Sequence, residues 1–416
     1  MKILWLGSII LPGIAEAEHC EAPVHNGWLI QLADIVSSLP DAELVYLFPC
    51  DKQCNGVIGN LKYTGLPEKQ RRRDEGAYIC GIEALLRKEQ PDVAHIWGAE
   101  FAHSAPFMEA AVRAGIQARV VVSVQGLLSV YAKDYTAFLP QSVVNGYTLN
   151  SLFKGNIRSG QKRFEKGGEK EIALLRMAHH VIGRTDWDKA AVWAINPAAR
   201  YHHNYETLRQ PFYSGEWRYE DCEKHSLFCS QSHYPIKGLH LVLQALALVK
   251  REYPDVVLYV GGEDIMQMPF WRLSSYRKYL RTLIRENNLE ANIRFTGFLA
   301  AEQMKERYLH SNVYVSASSI ENSSNSIGEA MLLGTPVVSS CVGGILSLME
   351  HGKEGLLYPA SEVNMLANHI CTLFAEPDYA TVLSQAARCR AAKTHDGNTN
   401  AAQLMQIYEE IVAAEK

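Results

Sequence analysis

The feature that most constrains this chain is a repeated alternation. Short, nearly continuous apolar runs rich in β-branched residues recur along it, separated by stretches of helical period. In the first half the runs fall at 2–7, 43–48, 92–98, 119–126 and 179–184. In the second half they fall at 226–231, 255–262, 292–297, 312–318, 335–340 and 355–359. Runs of this length without polar alternation suit parallel strands covered on both faces. The intervening GLHLVLQALALVKREYPD (238–255) is apolar along one face and ends in Lys-Arg-Glu before Pro254, as a covering helix would. A strand–helix alternation that occurs twice predicts an α/β fold of two doubly wound, Rossmann-like domains. The length of 416 residues agrees, because a single core rarely grows that large. An irregular stretch with Pro, Gly and aromatics at 205–221 marks the divide. The expected domains are 1–208 and 209–395, with a C-terminal helix, 396–416, packing back on the first. Ligands of such folds sit outside the carboxyl ends of the strands, here in the cleft between the two domains.

Composition removes other classes. The net charge of −4 gives no reason to expect nucleic acid as a partner. The nine cysteines are scattered, and the close pair Cys50 and Cys54 lacks a second ligand cluster for a metal. Reduced thiols in a cytoplasmic protein are the expectation. MKILWLGSIILPG reads as a first strand and loop rather than a signal peptide. No apolar run reaches the ~18 residues of a membrane span, so any membrane contact is expected to be peripheral, at the inner face. Two basic stretches, 68–75 and 153–170, are candidates for it. The second interleaves Phe153, Ile157 and Phe164 with Lys and Arg, a pattern that suits anionic headgroups, although a solvated charged face has the same look.

The densest chemistry lies in SSIENSSNSIGEAMLLGTPVVSS (318–340). Glu321 and Glu329 flank a soft polar run of seven residues. A strand is expected to deliver Glu321 at its carboxyl end, and a helix to begin at Asn325 or Ser326. Free backbone N–H groups at 323–326 (Ser323, Ser324, Asn325, Ser326) would then hold a phosphate or diphosphate. Glu329, expected in the first helical turn, could accept two hydrogen bonds from a cis-diol such as ribose. Glu321 would face the group on the other side of the phosphates. Spacing alone also allows a surface turn with an ordinary capping pattern.

The same stretch resembles the Glu-x7-Glu signature of the GT4 family of retaining glycosyltransferases, which have the GT-B fold. YPIKGLHLVLQAL resembles that family's lysine-bearing loop, with Lys237 in the diphosphate-binding position. NIRFTGFLAAEQMKERYLHSNVYVSAS resembles the segment leading to the motif, where Gly297 and Phe298 edge the base pocket. GGILSLMEHGKEGLLYP resembles the usual sequel. HNGWLIQLADIVSSL (25–39) is similar to the family's glycine-opened first helix, with Gly27 admitting the donor phosphates. The likeness is strong over 226–359 and mainly one of order before that. Among family members it is nearest to the bacterial surface-polysaccharide type. It implies transfer of a sugar, with retention, from a nucleotide diphosphate-sugar to a hydroxyl of a glycan or lipid-linked acceptor. Lys237 and Glu321 would be catalytic, and Lys237 with the helix start would make a metal or other cofactor unnecessary. Alternatives are a non-catalytic nucleotide-sugar-binding subunit, an epimerase or a phosphorylase, the last lacking a recommended pyridoxal phosphate lysine.

The chain departs from the family pattern at two places. Ser232 stands where an arginine is common, and Gln125 where a histidine is. Fewer cations stabilise a departing diphosphate less. Arg184 and His233 are candidates to restore the charge. Arg184 could instead pair with Asp186 or Asp188, and His233 could be an ordinary loop histidine. Gln125 can still bond a sugar hydroxyl but cannot carry a proton. In AHIWGAEFAHS, His95, Trp97, Glu100 and His103 cluster at a strand end. Trp97 would offer a stacking face to an acceptor sugar or else be a packed core tryptophan, and His95 reads as a satisfied core histidine.

Overall fold

The computed structural model describes residues 1–21, 27–231 and 234–415. The chain divides into two compact units, and all eleven expected strands form. The first unit comprises Met1–Ser129, Lys166–Arg209 and His395–Lys416. Its strands are β1 (Lys2–Leu6), β2 (Glu43–Cys50), β3 (Asn55–Ile58), β4 (Leu61–Pro67), β5 (Val93–Trp97), β6 (Val120–Ser123), β7 (His180–Gly183) and β8 (Arg200–His203). They form one sheet in the order β3-β4-β2-β1-β5-β6-β7-β8. Every pairing is parallel except the β3–β4 hairpin. The strands β3, β4 and β8 were not expected. Asn55–Ile58 and Arg200–His203 lie at the two sheet edges and are largely exposed, so they lack the continuous apolar run that marks a buried strand.

The C-terminal helix, Gly397–Ala414, belongs to this unit through a buried polar chain. The Trp5 indole N–H donates to the Tyr408 hydroxyl at 2.9 Å. That hydroxyl lies 2.6 Å from His95 Nδ1, and His95 Nε2 lies 2.7 Å from Ser123 Oγ. An indole can only donate, so the Tyr408 proton is available to His95 Nδ1, and Nε2–H then donates to Ser123. Burial holds His95 well below its ordinary pKa. It is the satisfied core histidine that the sequence suggested.

The second unit comprises Val130–Glu165 and Gln210–Thr394. Its strands are β9 (Glu223–Cys229), β10 (Val257–Val260), β11 (Ile293–Phe295), β12 (Ser311–Ser316), β13 (Val337–Ser340) and β14 (Leu356–Tyr358). The order is β11-β10-β9-β12-β13-β14, all parallel. This is the doubly wound order, whose switch point lies between β9 and β12. The grouping of 130–165 here corrects the expectation that 1–208 is one domain. The reason is local packing: Tyr131 OH accepts from Asn322 N at 3.0 Å, and Ser319 Oγ donates to Asp134 O at 3.1 Å. Gly146 also lies so close to Ser275 that a Cβ there would stand 3.1 Å from the serine Cβ.

Candidate active site

Two loops leave the switch point of the second unit, one after β9 and one after β12. The first ends in a 3-10 turn, Pro235–Lys237, closed by Gly238 at φ 68°. A Cβ on Gly238 would lie 1.8 Å from Ala317 O, so only glycine allows the two loops to touch backbone to backbone. Ser319 N donates to Ile236 O at 2.8 Å and completes the contact. The second loop is gripped from its other side. Gly344 N donates to Glu321 O at 3.0 Å. Gly343, at φ 51°, would put a Cβ 1.9 Å from the same oxygen.

This clamp sets Lys237 against Glu321. Lys237 Nζ lies 2.5 Å from Glu321 Oε1, which also accepts from Ser318 Oγ at 2.7 Å. Ser318 is itself held by Ser340 Oγ, which donates to Ser318 O at 2.6 Å. Burial pulls the Lys237 ammonium toward neutrality, but the Glu321 carboxylate outweighs it, and the net shift is upward. The pair is therefore a fixed cation and its partner, each with a small fraction of side chain still open, 20% and 10%.

A polar cavity opens beside the pair. Lys237, Glu321, Ser318, Ser324 and Ser326 line it together with Ser230 and Tyr314, whose hydroxyls lie 2.9 Å apart. The helix Asn325–Leu333 starts at this cavity. Its Ala-Met-Leu-Leu stretch favours helix, and Gly334 at φ 84° stops it. The N-cap is Ser324, one residue earlier than expected, and its side chain makes no capping bond. Asn325 Oδ1 is buried with no partner among the described residues. Glu329 is the fifth helical residue, beyond the first turn in which it was expected, and is 3% exposed. Gly297, at φ 71°, forms a two-way backbone bridge with Gly262 at the ends of β10 and β11, and Phe298 beside it is exposed. Lys237, Glu321, Ser324 and Ser326 thus share the cavity, whereas Ser323, Asn325, Gly297, Phe298 and Glu329 do not line it. Sequence reasoning missed Ser318, Ser230 and Tyr314, because serines just past strand ends and a tyrosine inside a strand carry no spacing signal.

Ser232 and His233 lie outside the described residues. Gly27 has φ −72°, an ordinary value, so its conformation does not require glycine; a Cβ there would meet Arg209 at 3.3 Å.

The first unit has its own small cavity at the carboxyl ends of β5, β6 and β7. Trp97, Gln125, Arg184, Asn204, Tyr205 and Glu206 line it. Arg184 pairs with Glu206, and both are sealed from solvent. Its guanidinium also donates to Val124 O at 3.1 Å and Gln125 O at 2.9 Å. Asp188 instead binds the Arg184 main-chain N–H, at 2.9 Å. The predicted pairing with Asp186 or Asp188 is thus replaced by one with Glu206, a residue distant in sequence. Trp97 does not offer a stacking face. His95 stacks on it at 3.8 Å, and Trp5 and Trp28 pack at 5.0 and 5.6 Å. What remains is its indole N–H, buried with no partner among the described residues. Glu100 is half-buried with Oε2 sealed and unpartnered among the described residues. Burial pushes its carboxyl up to about 8. His103, also buried, is pushed down to about 4.

Of the three apolar residues in the basic stretch 153–170, Phe153 alone is exposed. Ile157 is buried, and Phe164 packs on Tyr135 at 4.9 Å. In the other stretch, Arg71 pairs with Glu68 at 2.6 Å. Among the described residues no group of three or more His, Cys, Asp or Glu could hold a metal ion. No described helix is long and apolar enough to cross a membrane.

Residues 220–390 match the family model of glycosyl transferases group 1. Over 179 residues the chain is 29% identical to a D-inositol 3-phosphate glycosyltransferase of Corynebacterium urealyticum, covering 42% of this chain and 41% of that one. Over 171 residues it is 29% identical to the putative colanic acid biosynthesis glycosyltransferase WcaL of Salmonella typhimurium, covering 40% and 39%. The matches thus span about two fifths of these relatives. The fold covers the whole chain. Sucrose-phosphate synthase from Thermosynechococcus elongatus superposes with a TM-score of 0.70 at 17% identity, over 100% of both chains. Anabaena Alr3699/HepE in complex with UDP-glucose superposes with 0.68 at 18% identity, over 99% and 100%.

Proposed function

From the premise that residues 220–390 form a group 1 glycosyl transferase domain within a GT-B fold, we propose that the chain is a retaining glycosyltransferase. It moves a sugar from a nucleotide diphosphate-sugar to a hydroxyl of a glycan or lipid-linked acceptor in surface-polysaccharide synthesis. The observation that carries this is the Lys237–Glu321 pair, clamped by Gly238 and Gly343 beside the start of the helix Asn325–Leu333. The Anabaena protein seen with UDP and UDP-glucose supports the donor class, as the colanic acid relative supports the setting.

In this reading the donor diphosphate meets the backbone N–H groups at the helix start and one N–H of Lys237. Lys237 keeps its charge because Glu321 raises its pKa, and so neutralises negative charge as it develops on the leaving group. Glu321 turns its remaining acceptor capacity to the donor sugar, and Glu329 holds the ribose. Gly297 and Phe298 edge the base. The bond from the anomeric carbon to the diphosphate oxygen breaks and the acceptor oxygen bonds on the same face. The acceptor proton passes to the departing oxygen, since Gln125 cannot take it. Trp97 Nε1 and Gln125 bond acceptor hydroxyls. No metal or other cofactor takes part, and the protein works in the cytoplasm.

The test is thermal stabilisation across nucleoside diphosphates and nucleotide sugars, followed by transfer kinetics. Ligand that binds only the native state raises the melting temperature by mass action. One nucleotide family should stabilise the protein. Glu329→Ala should reduce that shift and raise KM about tenfold or more, while Glu321→Ala should mainly lower kcat, by about a hundredfold. No shift with any nucleotide at millimolar concentration would overturn the reading. Equal effects of both substitutions on KM and kcat would overturn the assigned roles.

A further inference from the structure

The second unit carries a helix built inside out. In Leu149–Lys154, Thr148 and Ser151 form a capping box, and Ser151 is buried. The apolar residues Leu149, Leu152 and Phe153, spaced i, i+3 and i+4, are instead 54%, 73% and 90% exposed. The turn Phe270–Arg272 packs beside this helix, and Phe270 and Trp271 are 59% and 64% exposed. Five large apolar side chains from two segments thus stand in solvent on one patch, where isolated exposure would need no explanation but a contiguous group does.

The charge around the patch is mainly positive. Residues 147–163 contain four Lys or Arg and no Asp or Glu, and residues 266–281 contain another four and none. Lys154 ends the helix, and Arg158 reaches back to Asn145 Oδ1 at 3.3 Å. Lys278 stands 5.5 Å above the Phe270 ring. The Glu263 carboxylate lies 3.7 Å from Arg272 and 2.9 Å from Arg277, two cations for one anion.

We propose that the helix Leu149–Lys154 and the turn Phe270–Arg272 form one docking surface for an anionic lipid bilayer. Leu and Phe from the helix, with the aromatic pair from the turn, enter the boundary between headgroups and acyl chains. The lysines and arginines around them meet the lipid phosphates. Eight cations in the two segments face one neighbouring carboxylate, Glu263, and a phosphate-rich surface supplies counter-charge for the excess. The surface deepens the membrane contact expected of a lipid-linked acceptor, but it depends on neither donor binding nor catalysis.

The experiment is co-sedimentation of the full chain with vesicles of phosphatidylcholine alone or mixed with phosphatidylglycerol. Binding should be about tenfold or more tighter to the mixed vesicles and should weaken as salt rises. Phe153→Ser with Trp271→Ser should lower it about tenfold, and so should Lys154→Glu with Arg158→Glu. If the apolar variant misfolds, the charge variant still decides. Equal binding to both vesicle types, or wild-type binding by the charge variant, would overturn the proposal. So would a lipid-free dimer, seen by sedimentation velocity, that Phe153→Ser with Trp271→Ser dissociates, because a second copy would then cover the patch. Nucleotide stabilisation of the same variants, expected to match wild type, keeps failure here separate from failure of the transferase reading.

Discussion

The two units share a doubly wound plan and both place a cavity at strand carboxyl ends, yet they handle buried charge in opposite ways. In the second unit Lys237 and Glu321 meet at the switch point with the lysine side chain 20% open, against 4% for Arg184. In the first unit Arg184 and Glu206 form a sealed pair, and Glu100 carries a carboxyl pushed up to about 8. An ion pair that remains partly hydrated can exchange a partner for a ligand at small cost. A sealed one cannot, because either charge left alone would be desolvated. The first-unit arginine is therefore held within its pair, and the second-unit lysine keeps part of its side chain open.

The sharpest way to break this contrast is Arg184→Met. It takes the guanidinium away from the buried Glu206 carboxylate and should destabilise the protein by about 3 kcal/mol, measured by urea denaturation, whereas Arg184→Met with Glu206→Leu should recover most of the loss. If the single variant is as stable as wild type, the pair is not sealed in the way described.

The next effect comes from two glycines of the second unit with almost the same backbone. Gly238 and Gly297 have φ 68° and 71°. A Cβ at Gly238 meets Ala317 O at 1.8 Å, while at Gly297 nothing lies within 4 Å. Gly238→Ala should cost about 3 kcal/mol or more and displace Lys237 from Glu321, and Gly297→Ala only about 1 kcal/mol of left-handed strain. Equal losses in denaturation would mean that strain, not the loop-to-loop contact, governs Gly238.

The smallest effect is a slope. The folded protein holds the Glu100 proton up to about pH 8, and the unfolded chain releases it near the ordinary carboxylate value. The folded state then binds more protons through that window, so this group's contribution is full at low pH and declines as pH rises from about 4.5 to about 8. Buried histidines such as His103 act in the opposite sense. The Glu100 share is isolated as the melting-temperature difference between wild type and Glu100→Gln, which should move in favour of the variant as pH rises. A difference that stays flat from pH 5 to 8 would place Glu100 in water.

Legibility in the sequence followed burial. The strands covered on both faces were readable as apolar runs, and the edge strands Asn55–Ile58 and Arg200–His203 were not, because exposed edges carry mixed residues. Glu321 was readable from the polar run that follows it, and Lys237 only through the family resemblance of its loop. The Arg184–Glu206 pair was hidden, since the nearer Asp188 offered an equally plausible partner and instead took the main-chain N–H. Trp97 looked like a platform because an aromatic at a strand end is exposed to that guess. The His95 ring comes from the same strand two residues earlier, and the rings of Trp5 and Trp28 come from another strand and a helix.

By itself, then, the sequence determined what repeats locally: strand and helix periods, two doubly wound units, and a glutamate on a polar loop after a buried strand. Tertiary structure alone decided which charges meet, which rings are covered, that residues 130–165 group with the second unit, and that Leu152 and Phe153 point outward. The physical reason is that period and turn chemistry act over a few residues and leave their mark in order. Pairing and burial depend on groups as far apart in sequence as Tyr131 and Asn322, and only the folded chain brings them within the few ångströms over which they act.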